Sequence, residues 1–344
     1  MIRIEEKKSL EGLTTFGLPS VAEAYAEATT VGELAEAFDW AKARGLAVHL
    51  LGGGSNTIAL SEVRGVVLRP AFQGVHFEPQ ADGTTLVIAG AAERLDDLVR
   101  MTVEKGLWGL ENFAAIPGSI GGAVVQNAGA YGVELAERFA WCRVWDPETQ
   151  TEKTLDLERC DFGYRTSVFK GKARHFIITE VALHLPAGAS PVLGYKTLAA
   201  RLEGKELHSP TEVENLIRAL RAEKLPDPAE TGSAGSFFKN PVVTRIKARE
   251  LVTLHPSLVS YPLAGGRAKL AAGWLIDAAN MRAVRVGGAG VWPKHALVLV
   301  NVEGATSEDV IGLAREIVDR VERRFGVLLE PEPVLLGGTW ADYL

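Results

Sequence analysis

Residues 108–132 read WGLENFAAIPGSIGGAVVQNAGAYG. This stretch, which we name the central cradle, is too rich in glycine and too interrupted by polar residues to form an ordinary core element. Glycine lets the backbone approach a ligand closely or adopt a positive φ, and Pro117 fixes the entry to the run. Such a run presents successive backbone N–H groups to an anion without needing a basic side chain. The central cradle therefore predicts a ligand-binding segment.

A second glycine-rich segment, the first glycine turn, reads LGGGSN at residues 51–56. It follows the apolar run 46–51, which is typical of a buried strand, so the turn lies at the carboxyl end of that strand. Neither segment has the G-x-G-x-x-G pattern of the usual dinucleotide fingerprint. Either turn alone is compatible with a structural loop. Two of them in one chain indicate an extended cofactor that carries phosphate groups.

Together the two segments resemble the flavin-binding part of the UDP-N-acetylenolpyruvoylglucosamine reductase family. Further blocks of that family follow in the same order, and the resemblance runs from Thr15 almost to the last residue. These blocks are YRTSVFK at 164–170, KLPDP at 224–228, AGSFFKNP at 234–241, AAGWLIDAA at 271–279, KHALVLVN at 294–301 and LEPE at 329–332.

The resemblance implies an α+β chain with the FAD-binding two-domain fold of the PCMH/vanillyl-alcohol-oxidase type and a C-terminal α+β substrate domain. The implied divisions are 1–70 with 330–344 and 71–224 for the two FAD-binding subdomains, and 225–329 for the substrate domain. The implied activity is the FAD-dependent reduction of UDP-N-acetylglucosamine enolpyruvate to UDP-N-acetylmuramate by NADPH, in peptidoglycan precursor synthesis. We expect non-covalent FAD, because neither glycine segment contains the histidine through which related oxidases often attach the ring.

Composition narrows the function classes. The 344 residues include 37 basic and 43 acidic side chains, and the net charge of −6 argues against a nucleic-acid partner. Cys142 and Cys160 lack metal-ligand spacing and indicate a reduced, cytosolic protein. Residues 1–10, MIRIEEKKSL, contain no apolar h-region, and no apolar run approaches the length of a membrane span, so we expect neither export nor membrane insertion. We therefore expect a cytoplasmic monomer with no bound metal, nucleic acid or membrane.

Local patterns predict the secondary structure. Capping residues and helical periodicity predict helices near 30–45, 95–106, 209–225, 247–254, 270–279 and 309–324. Short apolar runs predict strands near 46–51, 65–69, 84–89, 140–145, 176–185 and 296–300. In FGYRTSVFK, alternation predicts a strand with Arg165 on one face and Tyr164 on the other.

The implied reaction needs a proton donor and a positive charge near a carboxylate, besides the hydride. By resemblance, Ser236 donates the proton, Arg165 pairs with the enolpyruvyl carboxylate and stabilises the enolate, and Glu332 orients the intermediate. Each residue also has an ordinary structural interpretation, as a turn serine, a solvated strand arginine and an exposed tail glutamate. From the residue types alone, those interpretations are the preferred ones.

The resemblance also assigns binding residues. Lys224 would hold the substrate diphosphate, although a lysine at a helix end also complements the helix dipole. Asn240 and His295 resemble nucleotide-sugar contacts, and Tyr195 resembles a tyrosine on a mobile loop that closes over substrate in the longer form of the family. The implied cofactor contacts are Gly52, Gly53, Gly54, Ser55, Asn56, Thr57, Pro117, Gly118, Ser119, Gly121, Gly122, Ala123, Asn127, Gly129 and Tyr131.

The chain departs from the family pattern at Thr14, where asparagine is usual, at Leu95, where an aromatic residue is common, and at Pro333, where valine is usual. Pro333 lacks an N–H and restricts Glu332 to extended backbone, which bears on the aim of that carboxylate. Two rival functions stay open. A flavin oxidase of the same fold acting on an alcohol would consume oxygen rapidly, and a non-enzymatic nucleotide-binding protein would be colourless rather than yellow.

Overall fold

The computed structural model describes residues 2–188, 191–202 and 207–344, apart from the side chain of Lys196. The chain forms two compact units whose segments alternate along the sequence. The first comprises Met1–Glu6, Glu23–Gly53 and Arg64–Glu223, and the second comprises Lys7–Ala22, Gly54–Val63 and Lys224–Leu344. Residues 189–190 and 203–206 of the predicted division 71–224 lie outside the described residues.

The chain begins with β1 (Ile4–Ser9), β2 (Val21–Ala28), α1 (Val31–Lys42), β3 (Val48–Leu50), β4 (Thr57–Ala59) and β5 (Glu62–Pro70). Four of these strands form a sheet in the order β1-β2-β5-β3, and β3 runs parallel to β5. The predicted cap of α1 is confirmed, since the Thr30 hydroxyl accepts the Glu33 N–H at 3.2 Å. The first glycine turn follows β3 directly, as the apolar run 46–51 predicts.

The first unit continues with an antiparallel five-stranded sheet of order β11-β10-β12-β7-β6 and the helices that pack on it. The predicted apolar face of α2 is confirmed, because Leu95, Leu98 and Val99 are fully buried. The elements are β6 (Val75–Pro79), β7 (Thr85–Gly90), α2 (Leu95–Glu104), α3 (Ile120–Gln126), β8 (Gly129–Ala130), β9 (Val133–Glu134), β10 (Phe139–Asp146), β11 (Thr151–Asp156), α4 (Leu157–Cys160), β12 (Ile177–Leu185), α5 (Lys196–Leu202) and α6 (Pro210–Lys224).

The second unit has sheets of order β13-β19-β18-β17, β14-β16-β15 and β20-β4, around a core that includes Phe237, Phe238 and the inner face of α9. The C-terminal strand β20 pairs in parallel with β4, Val334 lying opposite Thr57. The elements are β13 (Ser233–Ser236), β14 (Val242–Thr244), α7 (Arg245–Leu254), β15 (Ser260–Leu263), β16 (Arg267–Leu270), α8 (Ala272–Ala278), β17 (Arg285–Val286), β18 (Ala289–Val291), β19 (Val298–Asn301), α9 (Ser307–Phe325) and β20 (Val334–Leu336). Short 3-10 turns occur at Glu11–Leu13, Glu111–Phe113, Leu135–Glu137, Val168–Lys170 and Trp340–Asp342.

The predicted strand through Arg165 is wrong. Gly163 and Thr166 exchange backbone hydrogen bonds of 3.0 and 3.2 Å, which close a two-residue turn at Tyr164 and Arg165. Arg165 takes a left-handed φ of 55° in this turn. The alternation of large and polar residues is real, but a short hairpin satisfies it as well as a strand does. The predicted helix 270–279 likewise begins later, at Ala272, because Arg267–Leu270 forms β16.

Helices in the described parts of the chain fall short of the length and apolar content that a bilayer crossing requires.

Candidate active site

The two glycine segments meet in the first unit at Gly53. A Cβ on Gly53 would lie 2.7 Å from both the Gly118 Cα and the Ser119 backbone nitrogen. Cβ atoms essentially never approach backbone so closely, so glycine is required at this position. The two turns therefore form one continuous backbone surface.

Several backbone donors on this surface have no acceptor within the described part of the chain. Among the described residues, no acceptor takes the N–H groups of Gly52, Gly53, Gly118 or Ser119. Gly52 and Gly53 are exposed, so water can accept these N–H groups until a ligand replaces it, and backbone N–H groups on neighbouring turns can bind an anion. The donor set fits a phosphate-bearing cofactor.

The expectation that the whole run presents its N–H groups to a ligand is wrong for the start of α3. There the donors are used within the fold: Ile120 N–H to Glu93 O at 2.8 Å, Gly121 N–H to Ala91 O at 2.9 Å and Gly122 N–H to Ser119 Oγ at 3.2 Å. Gly121 is instead a packing glycine, since a Cβ would lie 2.9 Å from the Ala91 Cβ. At this end of the central cradle, the N–H groups without an acceptor among the described residues are therefore those of Gly118 and Ser119, in the loop before the helix.

Asn127 ends α3 with a left-handed φ of 42°. Its amide donates to the Glu134 carboxylate at 2.9 Å and to the Gly163 carbonyl at 3.0 Å, and its Oδ1 accepts the Ala136 N–H at 3.1 Å. This buried side chain joins the end of the cradle to the turn that carries Arg165. Its direct contact with a cofactor remains a prediction.

Arg165 lies against the central cradle. Its Nη2 donates to the Gly129 carbonyl at 2.8 Å, and a Cβ on Gly129 would lie 3.2 Å from Nη1. Lys170 Nζ donates to the Arg165 carbonyl at 3.1 Å and so holds the turn from the other side. The left-handed turn thus places the positively charged guanidinium of Arg165 against the central cradle. The strand expected from the side-chain alternation would not have implied this contact.

Tyr131 and Tyr195 meet at the far end of the cradle. Their ring centroids are 5.6 Å apart with an interplanar angle of 79°. Asn112 donates to the Tyr131 carbonyl at 3.2 Å and to the Val192 carbonyl at 3.1 Å, which connects the cradle to the segment preceding Tyr195. Burial raises the pKa of Tyr131 above its ordinary value, so its hydroxyl stays protonated at neutral pH.

In the second unit, Ser236 and Glu332 are neighbours across a short antiparallel pairing. Ser236 is exposed at the end of β13, while Phe237 and Phe238 are buried and anchor the strand. The Glu332 N–H donates to the Phe237 carbonyl at 2.8 Å, and Asn56 Nδ2 donates to the Glu332 carbonyl at 3.2 Å. Both backbone groups of Glu332 are therefore fixed, although Pro333 cannot donate.

The remaining turn residues also belong to this unit. A Cβ on Gly54 would lie 2.0 Å from the Leu13 carbonyl oxygen, and Thr57 begins β4. These contacts give Gly54 and Thr57 roles in the fold. Their contact with a cofactor, like that of Ser55, remains a prediction.

In the second unit the cations Lys224 and Arg282 lie near His295, and Arg282 is paired with Asp277 at 2.6 Å. Trp292 Nε1 donates to the Lys224 carbonyl at 3.0 Å, and His295 Nδ1 accepts the Leu297 N–H at 3.3 Å. Burial lowers the pKa of His295, and the positive charges of Lys224 and Arg282 lower it further. A neutral imidazole with protonated Nε2 beside cations suits a polyanionic ligand such as a diphosphate.

Asn240 precedes β14, where its Oδ1 accepts the Ala272 N–H at the start of α8 with a distance of 2.9 Å. Its Nδ2 donates to no residue in the described ranges. The amide nitrogen is therefore the group through which Asn240 can bind a ligand.

The sequence matches two family profiles. One, an FAD binding domain, matches residues 22–154, and the other, the UDP-N-acetylenolpyruvoylglucosamine reductase C-terminal domain, matches residues 227–336. The UDP-N-acetylenolpyruvoylglucosamine reductase of Pseudomonas aeruginosa is 44% identical over 336 residues, which cover 97% of this chain and 99% of the relative. The chain belongs to the UDP-N-acetylenolpyruvoylglucosamine reductase family. It is accordingly an oxidoreductase whose cofactor is FAD.

Solved structures agree with this membership. The reductase of this family from Thermus caldophilus superposes with a TM-score of 0.67 at 26% identity, over 97% of this chain and 99% of that one. The 6-hydroxy-D-nicotine oxidase of Arthrobacter nicotinovorans shares the fold alone, with a TM-score of 0.51 at 13% identity over 99% of this chain and 89% of that one. The predicted α+β fold of the PCMH/vanillyl-alcohol-oxidase type is confirmed.

The sequence patterns did not predict the charged residues that hydrogen-bond the backbone of the central cradle at Ala115. Asp96 accepts the Ala115 N–H at 2.6 Å and pairs with Arg218, and Arg221 Nε donates to the Ala115 carbonyl at 3.2 Å. The spacing of Glu214 and Arg218 along α6 was a detectable signal for one ion pair. No local pattern connects either residue with Asp96, which lies 122 positions from Arg218.

Proposed function

We propose that this chain catalyses the NADPH-dependent reduction of UDP-N-acetylglucosamine enolpyruvate to UDP-N-acetylmuramate with non-covalently bound FAD. The observation that carries the proposal is the position of Arg165, whose positively charged side chain donates a hydrogen bond to the Gly129 carbonyl in the central cradle. A substrate carboxylate beside the cofactor would find its counter-charge there. Arginine suits this role because its planar fork matches a carboxylate and stays charged at any physiological pH.

Bound FAD would supply the hydride, taken from NADPH, to the terminal carbon of the enolpyruvyl group. Arg165 would stabilise the negative charge that this transfer builds on the carboxylate side. The Ser236 hydroxyl would then give its proton to the adjacent carbon, which completes the addition of one hydride and one proton across the double bond. Glu332, fixed to Phe237 through its backbone, would orient the intermediate.

The backbone donors of Gly52, Gly53, Gly118 and Ser119 would hold the FAD phosphates, and the other predicted cofactor contacts would complete the site. Lys224 would bind the substrate diphosphate, with His295 and Asn240 as hydrogen-bond donors, and Tyr195 would close over the substrate. The positive charges of Lys224 and Arg282 near His295, and the amide nitrogen of Asn240, support these roles.

We further propose the three-part division into 1–70 with 330–344, 71–224 and 225–329, a monomeric state and a cytoplasmic location. The separation of the two family profiles, which match 22–154 and 227–336, supports a boundary between residues 154 and 227.

The test is anaerobic stopped-flow absorbance at the flavin band of wild type and of Ser236→Ala. NADPH should bleach the flavin in both proteins. UDP-N-acetylglucosamine enolpyruvate should restore the absorbance quickly in wild type and about 10²- to 10⁴-fold more slowly in Ser236→Ala, because the variant lacks the proton donor.

Ser61→Ala is the matched control, since Ser61 is an exposed serine of the second unit. It should behave as wild type in both half-reactions. Recovery of wild-type absorbance with oxygen but not with the enolpyruvyl substrate would refute the reductase activity in favour of the oxidase. Equal recovery rates for wild type and Ser236→Ala would refute the role of Ser236 alone.

A further inference from the structure

Ala115 stands at the entry to the central cradle in a conformation that residues with a Cβ rarely adopt. Its φ is 58°, in the left-handed region, and it lies three positions before Gly118. A side chain in this region clashes with its own backbone, so the conformation persists only where the surroundings impose it. The direction in which the chain enters Pro117 and Gly118 depends on this residue.

Two charged side chains hold the backbone of Ala115 from both sides. Its N–H donates to Asp96 Oδ1 at 2.6 Å, and its carbonyl accepts from Arg221 Nε at 3.2 Å. A charge-assisted hydrogen bond of this length is among the stronger ones in proteins. Neither Asp96 nor Arg221 belongs to the glycine segments, so the restraint comes from α2 and α6.

Asp96 is itself fixed by a fork from α6. Arg218 donates to Asp96 Oδ2 at 2.9 Å through Nη1 and to Oδ1 at 2.7 Å through Nη2. Glu214, one helical turn earlier, accepts from Arg218 Nε at 2.9 Å and orients the fork. Burial alone would raise the pKa of Asp96, but hydrogen bonds from Arg218 and from the Ala115 N–H outweigh it and keep the pKa low.

We propose that Asp96 is a positioning residue for FAD, because it holds Ala115 left-handed and thereby sets Gly118 and Ser119 in register with Gly53. The backbone of Gly53 packs so closely on Gly118 and Ser119 that a Cβ on Gly53 would lie only 2.7 Å from them. A small change in the entry to Gly118 therefore misaligns the N–H donors of the two turns. The proposal rests on the proposed function only in taking FAD as the ligand of these donors.

The test measures FAD affinity of the apoprotein by quenching of flavin fluorescence, together with the melting temperature of the apoprotein. Asp96→Ala should raise the Kd for FAD about 10- to 100-fold, the range seen when a group that orients metal ligands is removed. Ala115→Gly should bind FAD as wild type does. In Asp96→Ala/Ala115→Gly the affinity should recover substantially, because glycine adopts a φ of 58° without help from Asp96.

Asp97→Ala is the matched control, since Asp97 is the neighbouring, half-exposed acid on α2 and pairs only with Arg94, at 3.6 Å, among the described residues. It should leave the Kd unchanged. A wild-type Kd in Asp96→Ala overturns the proposal, and so does a weakened Kd that Ala115→Gly fails to restore. If Asp96→Ala does not fold, a double variant that folds and binds FAD supports the proposal, and one that also fails to fold overturns it. None of these readouts depends on substrate turnover, so failure of the proposed reduction would be recognised separately.

Discussion

Arg165 combines a left-handed φ of 55° with a hydrogen bond to the cradle at Gly129. Left-handed backbone at a residue other than glycine costs about 1–2 kcal/mol, so the fold must stabilise the turn elsewhere. It does so through the Gly163–Thr166 backbone pair and the Lys170 hydrogen bond to the Arg165 carbonyl. Strained residues concentrate at functional sites, which agrees with the catalytic role proposed for Arg165.

His295 gives the residue-scale prediction, which concerns pH. Because burial and two nearby cations lower its pKa below the ordinary value of about 6.5, the unfolded chain binds a proton at pH values at which the folded site does not. The stabilising effect of the neutral ring is complete above about 6.5 and is lost as the pH falls through the folded pKa. His295→Gln should therefore lose less stability than wild type as the pH falls below about 6.5.

Urea unfolding of the two proteins at a series of pH values checks this. The difference in unfolding free energy between wild type and His295→Gln should be constant above about pH 7 and should shift in favour of the variant at lower pH. His76→Gln, in which an exposed histidine is changed, is the matched control. A difference that is independent of pH down to the acid unfolding of both proteins would contradict the prediction.

A contiguous family motif indicates candidate site residues, but it does not indicate their conformation. The block YRTSVFK identifies Arg165, but its side-chain alternation is compatible with both a strand and a hairpin. The hydrogen bonds that hold Ala115 could not be predicted for a different reason. Its partners lie 19 and 106 positions away, and such pairings leave no local pattern.

At the scale of elements, the helices were predictable because their signals are local. The cap at Thr30, the apolar face of α2 and the capping box from Ser209 to Glu212 each lie within one or two turns of chain. The short strands of the second unit were harder, since Leu270, the last residue of β16, belongs to the same apolar stretch as the start of α8. Where a strand and a helix share a hydrophobic stretch, pairing with β14 and β15 decides the boundary.

The contact between the two glycine turns gives the element-scale prediction. In Gly53→Ala the new Cβ would have to displace the backbone of Gly118 and Ser119 from 2.7 Å. Overpacking of this kind costs about 1–3 kcal/mol, and the displaced N–H donors should no longer bind the cofactor. We expect a protein that purifies with little or no yellow colour and whose apo form unfolds at lower urea concentration.

Absorbance at the flavin band after purification and titration of the apoprotein with FAD measure the effect. Gly12→Ala is the matched control, because apart from Gly12 and its chain neighbours no heavy atom lies within 4 Å of the position that its Cβ would take. It should keep the wild-type flavin content. A Gly53→Ala protein with full flavin content would show that the two turns can separate without loss of the site.

At the scale of the molecule, the second unit includes two segments from the N-terminal part of the chain as well as its C-terminal part. Segments 7–22 and 54–63 belong to it, and they contribute the fully buried side chains Phe16, Leu18 and Ile58. Thr15 exchanges hydrogen bonds with Ser233, at 2.7 Å from its hydroxyl and 3.0 Å to its carbonyl. A family profile that covers 227–336 therefore describes a sequence unit that is smaller than the folded one.

This dependence predicts that residues 224–344 expressed alone will not fold cooperatively. The fragment would lack strand β4, the partner of β20, and would expose the core that the three apolar side chains cover. Burial of each such side chain stabilises by about 1.5–3 kcal/mol, and a domain's whole stability is about 5–15 kcal/mol, so the loss is of the same order as the total. A chain in which flexible linkers join 7–22 and 54–63 to 224–344 should restore a cooperative urea transition. Far-ultraviolet circular dichroism during urea titration compares the two proteins. A sharp transition in 224–344 alone would contradict the prediction, because it would mean that this fragment forms a complete core without segments 7–22 and 54–63.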